Sequence, residues 1–308
     1  MAGPDPAIPQ TKGVVMNWSF VIANAITLAC IYGTLAIGLS ITWSSLGLIN
    51  MAYGFIFALS GYGAWLAAQH LSANGLVVMA AGILTGALGG LLVCALAFIP
   101  IHDKPNFTVR GMIATLALSL VGNQALLWYF GPRAKSLPQL FGASQASIFG
   151  VVMTADKIGA VVSSVLLLSA VLFWMRSSRR GLEIRAMMMN PHAASIVGIG
   201  VRRTGFYVMA LTGGLAGLAS VLLSQTYYVG PFSGITPMVK GLSVALCGGL
   251  GSVFGAVIAA ALLGINEALT SVVFGGQYVL ITQFALIILI LLIRPRGIAG
   301  ILDKAREA

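Results

Sequence analysis

The sequence predicts an all-α fold: a polytopic transmembrane bundle of about eight apolar segments, at least one of them broken or re-entrant. Three observations carry this expectation. Only 8% of the 308 residues are Asp, Glu, Lys or Arg, against about 25% in an ordinary soluble domain. Apolar runs recur along the whole length and reach the roughly 20 residues a spanning helix needs, whereas an outer-membrane barrel shows short alternating strands. All five tryptophans, Trp18, Trp43, Trp65, Trp128 and Trp174, fall at or near the ends of those runs, where an amphipathic indole sits at headgroup level.

In chain order the apolar segments run over 18–42, 46–68, 76–100, 111–131, 155–175, 205–226, 238–273 and 278–293. Residues 1–17 hold Pro4, Pro6 and Pro9 but no basic run of the signal-peptide kind, so they read as a flexible leader before a retained first segment. The membrane domain is expected over 18–294 and a cytoplasmic tail over 295–308. The stretch SSLGLIN after Trp43 suggests a break between the first two segments. Segment 238–273 is too long for one crossing and is interrupted by Cys247, Gly248, Gly249, Leu250, Gly251 and Ser252. It reads as a half-helix, a turn at membrane depth and a returning helix, since irregular backbone is tolerated there only where protein or a cavity covers it. Small-residue steps at Gly82, Gly86 and Gly90, at Gly213 and Gly217, and at Gly251 and Gly255 predict close helix packing.

One island of charge interrupts this pattern. Between Arg176 and Arg203 stand six arginines and a single acid, Glu183. Basic loops accumulate on the cytoplasmic side, so 176–203 is expected inside. Crossing parity then places the loop around His102 to Arg110 and the tail inside and the loop 132–154 outside, and makes 238–273 begin and end outside. Asp5 and Lys12 cancel, which leaves the side of the amino terminus open. The net charge of +10 comes without a nucleic-acid signature and points to anionic lipid or a protein partner. Within the island Pro191 can start a short helix after Asn190. Ala193, Ala194, Ile196, Val197 and Ile199 then supply an apolar face long enough to dock but not to span. An ordinary basic interfacial loop is the competing reading of this stretch.

Several chemistries find no support. Cys30, Cys94 and Cys247 stand alone in apolar stretches and His70, His102 and His192 are scattered, so neither a disulfide framework nor a metal spacing exists. GGLGSVFG lacks the lysine of a phosphate-binding loop, and no nucleophile, base and acid cluster together. The chain is therefore expected to be a transport subunit with no catalytic site, cofactor or metal of its own. Apart from Asp156 at the very start of 155–175, Glu267 is the only acid inside an apolar segment, which makes it a pathway candidate beside the plainer reading that it faces water at the outer boundary. Asn50 lies at the first break, either exposing its amide to a pathway or capping a broken helix. Asn123 and Gln124 are expected to bond between helices.

Four blocks carry a family resemblance: GLINMAYG at 47–54; GMIATLALSL at 111–120 followed by FGP at 130–132; GLEIRAMMMNPHAASIVGI at 181–199; and VKGLSVALCGGLGSVFGAVIAAALLGINEAL at 239–269. With the closing RPRG at 294–297, the chain resembles the permease subunits of ABC importers for branched-chain amino acids, the LivH-like family. The resemblance implies a multi-pass subunit of the bacterial inner membrane. Its partners would be a homologous second permease, two cytoplasmic ATPase subunits carrying ATP and Mg, and a periplasmic or extracellular solute-binding protein. It also implies that 181–199 couples to the ATPase, through Glu183, Arg185, Ala186, Asn190, Pro191, Ala193, Ala194, Ile196 and Gly198. Asn50, Tyr53, Gly248, Gly249, Gly251, Ser252 and Glu267 are the expected pathway residues. Relatives usually read N-x-A-H-G followed by an acid; here Tyr53 replaces the His and Phe55 the acid. That departure implies a more aromatic pocket for a bulkier or less polar solute. The expected solutes are branched-chain amino acids or neighbours such as other amino acids, amides and urea. An ion-coupled secondary transporter and a passive channel are the alternatives, and neither accounts for a coupling-type loop.

Overall fold

In the computed structural model the described residues are 18–72, 74–142, 144–148 and 151–299. The leader at 1–17 and the end of the tail at 300–308 lie outside them. The helices are α1 Trp18–Leu46, α2 Tyr53–His70, α3 Gly75–Ile101, α4 Phe107–Phe130, α5 Ala155–Ser177, α6 Arg179–Met189, α7 Pro191–Ile196, α8 Val201–Ser224, α9 Ile235–Gly248, α10 Val253–Val273 and α11 Val279–Ile293. Seven helices among the described residues are long and apolar enough to cross a membrane, α11 counting with the short 3-10 turn before it, while α9 is shorter. A hairpin of β1 Gln145–Ile148 and β2 Val151–Thr154 forms in the loop before α5. The β-branched content of VVMT suits a strand, so the expected outer loop 132–154 is partly ordered as a hairpin.

Local chemistry fixes most boundaries. Gly47, at φ 65, ends α1, and the Asn50 side chain accepts from the Ala52 backbone N–H at 2.9 Å just before α2 begins. Pro100 supplies no N–H to the carbonyl of Leu96, and the ladder before it opens into a π-helical turn over Cys94–Phe98. Ser178, Asn190 and Ser252 accept from the backbone N–H groups of Gly181, Ala193 and Gly255 and so cap α6, α7 and α10. The predicted short helix after Asn190 is thus present as α7. Its neighbour α6 is a helix where the sequence reading had placed a loop.

Contacts between loops sort the helix ends into two groups. Asp103 pairs with Arg202, joining the α3–α4 loop to the start of α8 at the basic end of the molecule. At the opposite end Lys135 and Val229 exchange backbone hydrogen bonds of 2.8 Å, linking the loop after α4 to the loop after α8. The Lys157 ammonium lies 4.5 Å from the Phe20 ring, so α1 starts beside the start of α5. The amino-terminal end of α1 therefore lies opposite the basic loops, which charge alone had left open.

α8 is the central helix: 78% of its most apolar window is buried, against 17% for α5 and for α11 at the periphery. α1, α2 and α3 surround it. Ser220 donates to the Phe57 carbonyl at 2.7 Å, Tyr53 donates to the Thr212 carbonyl at 3.0 Å, and Thr42 donates to the Thr212 hydroxyl at 3.2 Å. Against α3 the contact is backbone on backbone. A Cβ at Gly86 would strike the Gly213 carbonyl oxygen, one at Gly90 that of Met209, and one at Gly217 that of Gly82. The expected steps on α3 and α8 are thus one antiparallel seam. Gly251 and Gly255 form no such step, because Gly251 sits in the turn before α10 at φ 97.

The segment 238–273 is two helices, as expected, but its turn is not at membrane depth. Ile298 and Ala299 donate to the carbonyls of Cys247 and Gly248 at 2.8 and 3.1 Å, which places the turn with the residues that follow α11. The physical reason is the end of α9. Its last carbonyls have no helical donors, and the turn after RPRG supplies them. The deep break lies on the other side of α9, where Gly234 meets the Gly54 backbone closely enough that a Cβ on Gly234 would collide with it. Gly86→Val should destabilise the detergent-solubilised protein by at least about 1–3 kcal/mol, as overpacking a core does, and lower its melting temperature accordingly. Gly230→Ala, which nothing crowds within 4 Å, should leave it unchanged.

Candidate functional site

A cavity of about 520 Å³ opens among α1, the α8–α9 loop, α9, α10 and the start of α11. Tyr32, Leu223, Tyr227, Tyr228, Lys240 and Glu267 are among its lining residues. Gly276 and Ser271 at its mouth belong to the end of the molecule opposite the basic loops. Its floor holds a buried ion pair. Lys240 on α9 donates to Glu267 Oε1 on α10 at 2.6 Å and to the Tyr32 hydroxyl on α1 at 3.0 Å. Tyr32 in turn donates to the same carboxylate oxygen at 3.2 Å. The two charged side chains are only 10% and 8% exposed, so each needs the other: an unpaired charge at that depth would be very costly. Tyr227, on the connecting loop, has its hydroxyl pKa pushed up by burial first and by the nearby Glu267 carboxylate second. It stays a neutral donor at working pH. Apolar surface, hydroxyls and one matched pair of opposite charges thus face a single cavity, an arrangement able to hold a small solute carrying both charges.

The structure brings together only some of the residues singled out from sequence. Glu267 does not face open water at the boundary; it is 6% exposed and paired. Its partner Lys240 was missed, although an isolated lysine between apolar neighbours in MVKGLSVAL was a legible signal. Asn50 caps the chain at the start of α2 and its Nδ2 lies 3.7 Å from Met209 Sδ. Tyr53 is fully buried among α1, α2 and α8, and the Gly38 backbone passes directly over its hydroxyl. Neither lines the cavity. Gly248, Gly249, Gly251 and Ser252 lie at the basic end beside the chain after α11, also apart from it. Asn123 is buried with Oδ1 unpartnered and Gln124 is exposed, so the expected interhelical bond of Asn123 through that oxygen is not made within the described residues.

At the basic end, α6 and α7 form an elbow beneath the bundle. Met175 and Gly181 touch backbone to side-chain position, which leaves no room for a Cβ on Gly181 and holds the elbow against the end of α5. Arg180 bridges Glu183 at 2.8 Å and lies 5.3 Å from the Tyr207 ring on α8. Arg185 reaches the Arg176 carbonyl at 3.4 Å. Asp103 is held below the usual carboxylate range by its hydrogen bonds to His102 and Arg202. Met189, Ile196 and Val197 stand 80%, 74% and 76% exposed on this charged surface. Ala194 faces the other way and is buried against the protein, which corrects its expected place on the docking face. A helix this short must turn one side to its own fold. Gly198 adopts φ 87 in open space and ends α7, so a side chain there would strain the backbone rather than meet a partner.

These features define a class first: a multi-pass helical membrane protein whose charged elbow, solute-sized cavity and broken helices are those of a transport subunit. The family described as branched-chain amino acid transport system / permease component matches residues 21–291. The chain belongs to that family, whose members are permease subunits of the inner membrane. It is 28% identical to the high-affinity branched-chain amino acid transport system permease protein LivH of Escherichia coli K12, over 90% of this chain and 94% of that one. It is 28% identical to the corresponding protein BraD of Pseudomonas aeruginosa, over 91% and 94%. The guanosine ABC transporter permease protein NupP of Bacillus subtilis is 39% identical over 32% of this chain and 30% of its own.

The buried pair predicts an asymmetry. Glu267→Gln alone strands the Lys240 ammonium and should destabilise the protein by about 3–5 kcal/mol, whereas removing both charges in Lys240→Met with Glu267→Gln should leave stability near wild type. Thermal unfolding in detergent followed by tryptophan fluorescence checks both.

Proposed function

We propose that this chain is the membrane-spanning permease subunit of a binding-protein-dependent ABC importer. It would pair with a homologous second permease, receive solute from a binding protein at the cavity end, and draw energy from two ATPase subunits at the basic end. The solute is a branched-chain amino acid or a chemically close small molecule such as another amino acid, an amide or urea. The single observation that carries the coupling half of this reading is the cluster of Met189, Ile196 and Val197, exposed on a surface otherwise charged. Apolar side chains presented this way on a cytosolic face mark a protein contact.

The elbow has the parts such a contact needs. Asn190 and Pro191 fix the entry to α7, Ala193 and Ile196 lie on the solvent side, and Gly198 releases the chain back to α8. Glu183 and Arg185 flank the elbow, and Ala186 packs partly buried beneath it. Closure of the ATPases around ATP and Mg would push on α7. The push passes to α5 through Met175 and Gly181 and to α8 through Arg180 and Tyr207. Because α8 is locked to α3 by the glycine seam and to α2 by Ser220, it moves those helices as one body. α9 is held to the carboxyl-terminal segment instead, so relative motion of the two groups alters the cavity between them. No covalent chemistry is asked of this chain.

An ion-coupled carrier would also use a broken helix and a buried acid, and nucleotide dependence separates the two. In proteoliposomes holding the chain with its second permease and ATPase subunits, and with the solute-binding protein supplied outside, leucine uptake should require ATP and survive dissipation of proton and sodium gradients. Uptake that ignores ATP and collapses with an ion gradient would replace the importer reading. Ile196→Glu should cut ATP-driven uptake roughly tenfold or more, as truncating an interface hot spot does, with unfolding temperature unchanged. Wild-type uptake by that variant would exclude α7 as the coupling element.

A further inference from the structure

We infer that Lys240 and Glu267 form a recognition site for a zwitterionic α-amino acid, Lys240 taking the carboxylate and Glu267 with Tyr32 taking the ammonium. This deepens the importer reading and rests on it. The first ground is burial. Two opposite charges, each about nine-tenths covered, sit at the floor of a solute-sized cavity rather than at a helix seam closed on all sides. A pair serving only to join α9 to α10 would be sealed by apolar neighbours; this one is reached from the cavity.

The second ground is α9 itself. It is a half-helix of 14 residues whose first turn, through Thr236, lines the same cavity, as does Ser233 just before it. The amino-terminal end of a helix carries partial positive charge, and half-helices inside transporters turn that end toward anionic solute groups. α9 and Lys240 therefore favour a negative group at one place, and Glu267 favours a positive group beside it. Tyr227, Tyr228 and Leu223 offer aromatic and aliphatic surface to the rest of the solute.

Charge balance sets the selectivity. A zwitterion entering the floor exchanges one internal ion pair for two, and no charge is left uncompensated at any stage. A carboxylate or an amine alone would leave one protein charge without its partner, at the cost that burial imposes. The site thus rejects singly charged analogues of the same shape.

The test uses the full chain in membrane vesicles, coexpressed with its neighbouring transporter subunits, carrying Thr236→Cys at the cavity wall and labelled with a membrane-impermeant maleimide. Saturating leucine should slow labelling roughly tenfold by occupancy, while 4-methylpentanoate and isoamylamine, each keeping one charge of leucine, should not. Lys240→Met with Glu267→Gln should abolish protection and lower leucine uptake by roughly tenfold to a hundredfold, the factor a lost charge-assisted hydrogen bond carries, without lowering the unfolding temperature. Equal protection by the singly charged analogues, no protection by leucine, or wild-type uptake by the double variant would overturn the proposal and leave the pair as a helix staple. The labelling needs no transport. Protection by leucine in a complex inert to ATP would therefore overturn the importer reading alone.

Discussion

In hydrocarbon there is no water to satisfy a peptide group, so every break in a helix must be covered by protein or open onto a cavity. The rest of this structure follows from where that constraint is met. At 47–52 the break is closed by the Asn50 side chain and by Thr115, whose hydroxyl accepts from the Met51 backbone N–H at 3.1 Å. The turn at 249–252, although at the basic end, is closed in the same way by Ser40, which accepts from the Gly251 N–H at 2.9 Å, and by the segment after α11. The loop 225–234 is closed on one side by Gly54 and by the bridge from Lys135, and on the other side it faces the cavity. Of these three, the loop 225–234 has the open side, and it is the one that meets the buried charges.

The division of labour between helices has the same origin. Without a hydrophobic effect to drive helices together, association depends on close packing and on polar contacts. α8 uses both, with glycine carbonyls against α3 and hydroxyls toward α1 and α2. It is the rigid centre to which the elbow of α6 and α7 is attached. α9 and α10 pack on α1, and α9 is pinned to the carboxyl-terminal segment by backbone hydrogen bonds. The cavity lies between these two groups, so a push at the elbow and a change in the cavity are mechanically linked.

Much of the architecture was legible in residues taken alone. Long apolar runs, flanking tryptophans and the scarcity of charge gave most of the long helices to within a few residues, though α2 begins at Tyr53 rather than at 46, because burial of backbone in lipid leaves little freedom at that level. The family blocks at 181–199 and 239–269 pointed to a permease, and the family match agrees. Asn190 with Pro191 gave the start of α7, since capping and a preset φ are local effects. What was not legible is contact between residues far apart in sequence. Lys240 and Glu267 are 27 residues apart and Tyr32 is 208 from Lys240; nothing in either neighbourhood announces the other.

The sequence by itself determined the class of protein, the order of its apolar segments, the basic loop and the start of α7, because each follows from hydropathy or from chemistry within four residues. Tertiary structure alone decided which face of α7 is free, which end of α9 lies deep, and on which side α1 begins. It also separated Asn50, Tyr53 and the 248–252 turn from the cavity and paired Glu267 with Lys240. The physical reason is that a helix in lipid is specified by its own backbone, whereas the depth of a break and the partner of a buried charge are set by whichever neighbouring helix supplies the missing hydrogen bond or countercharge.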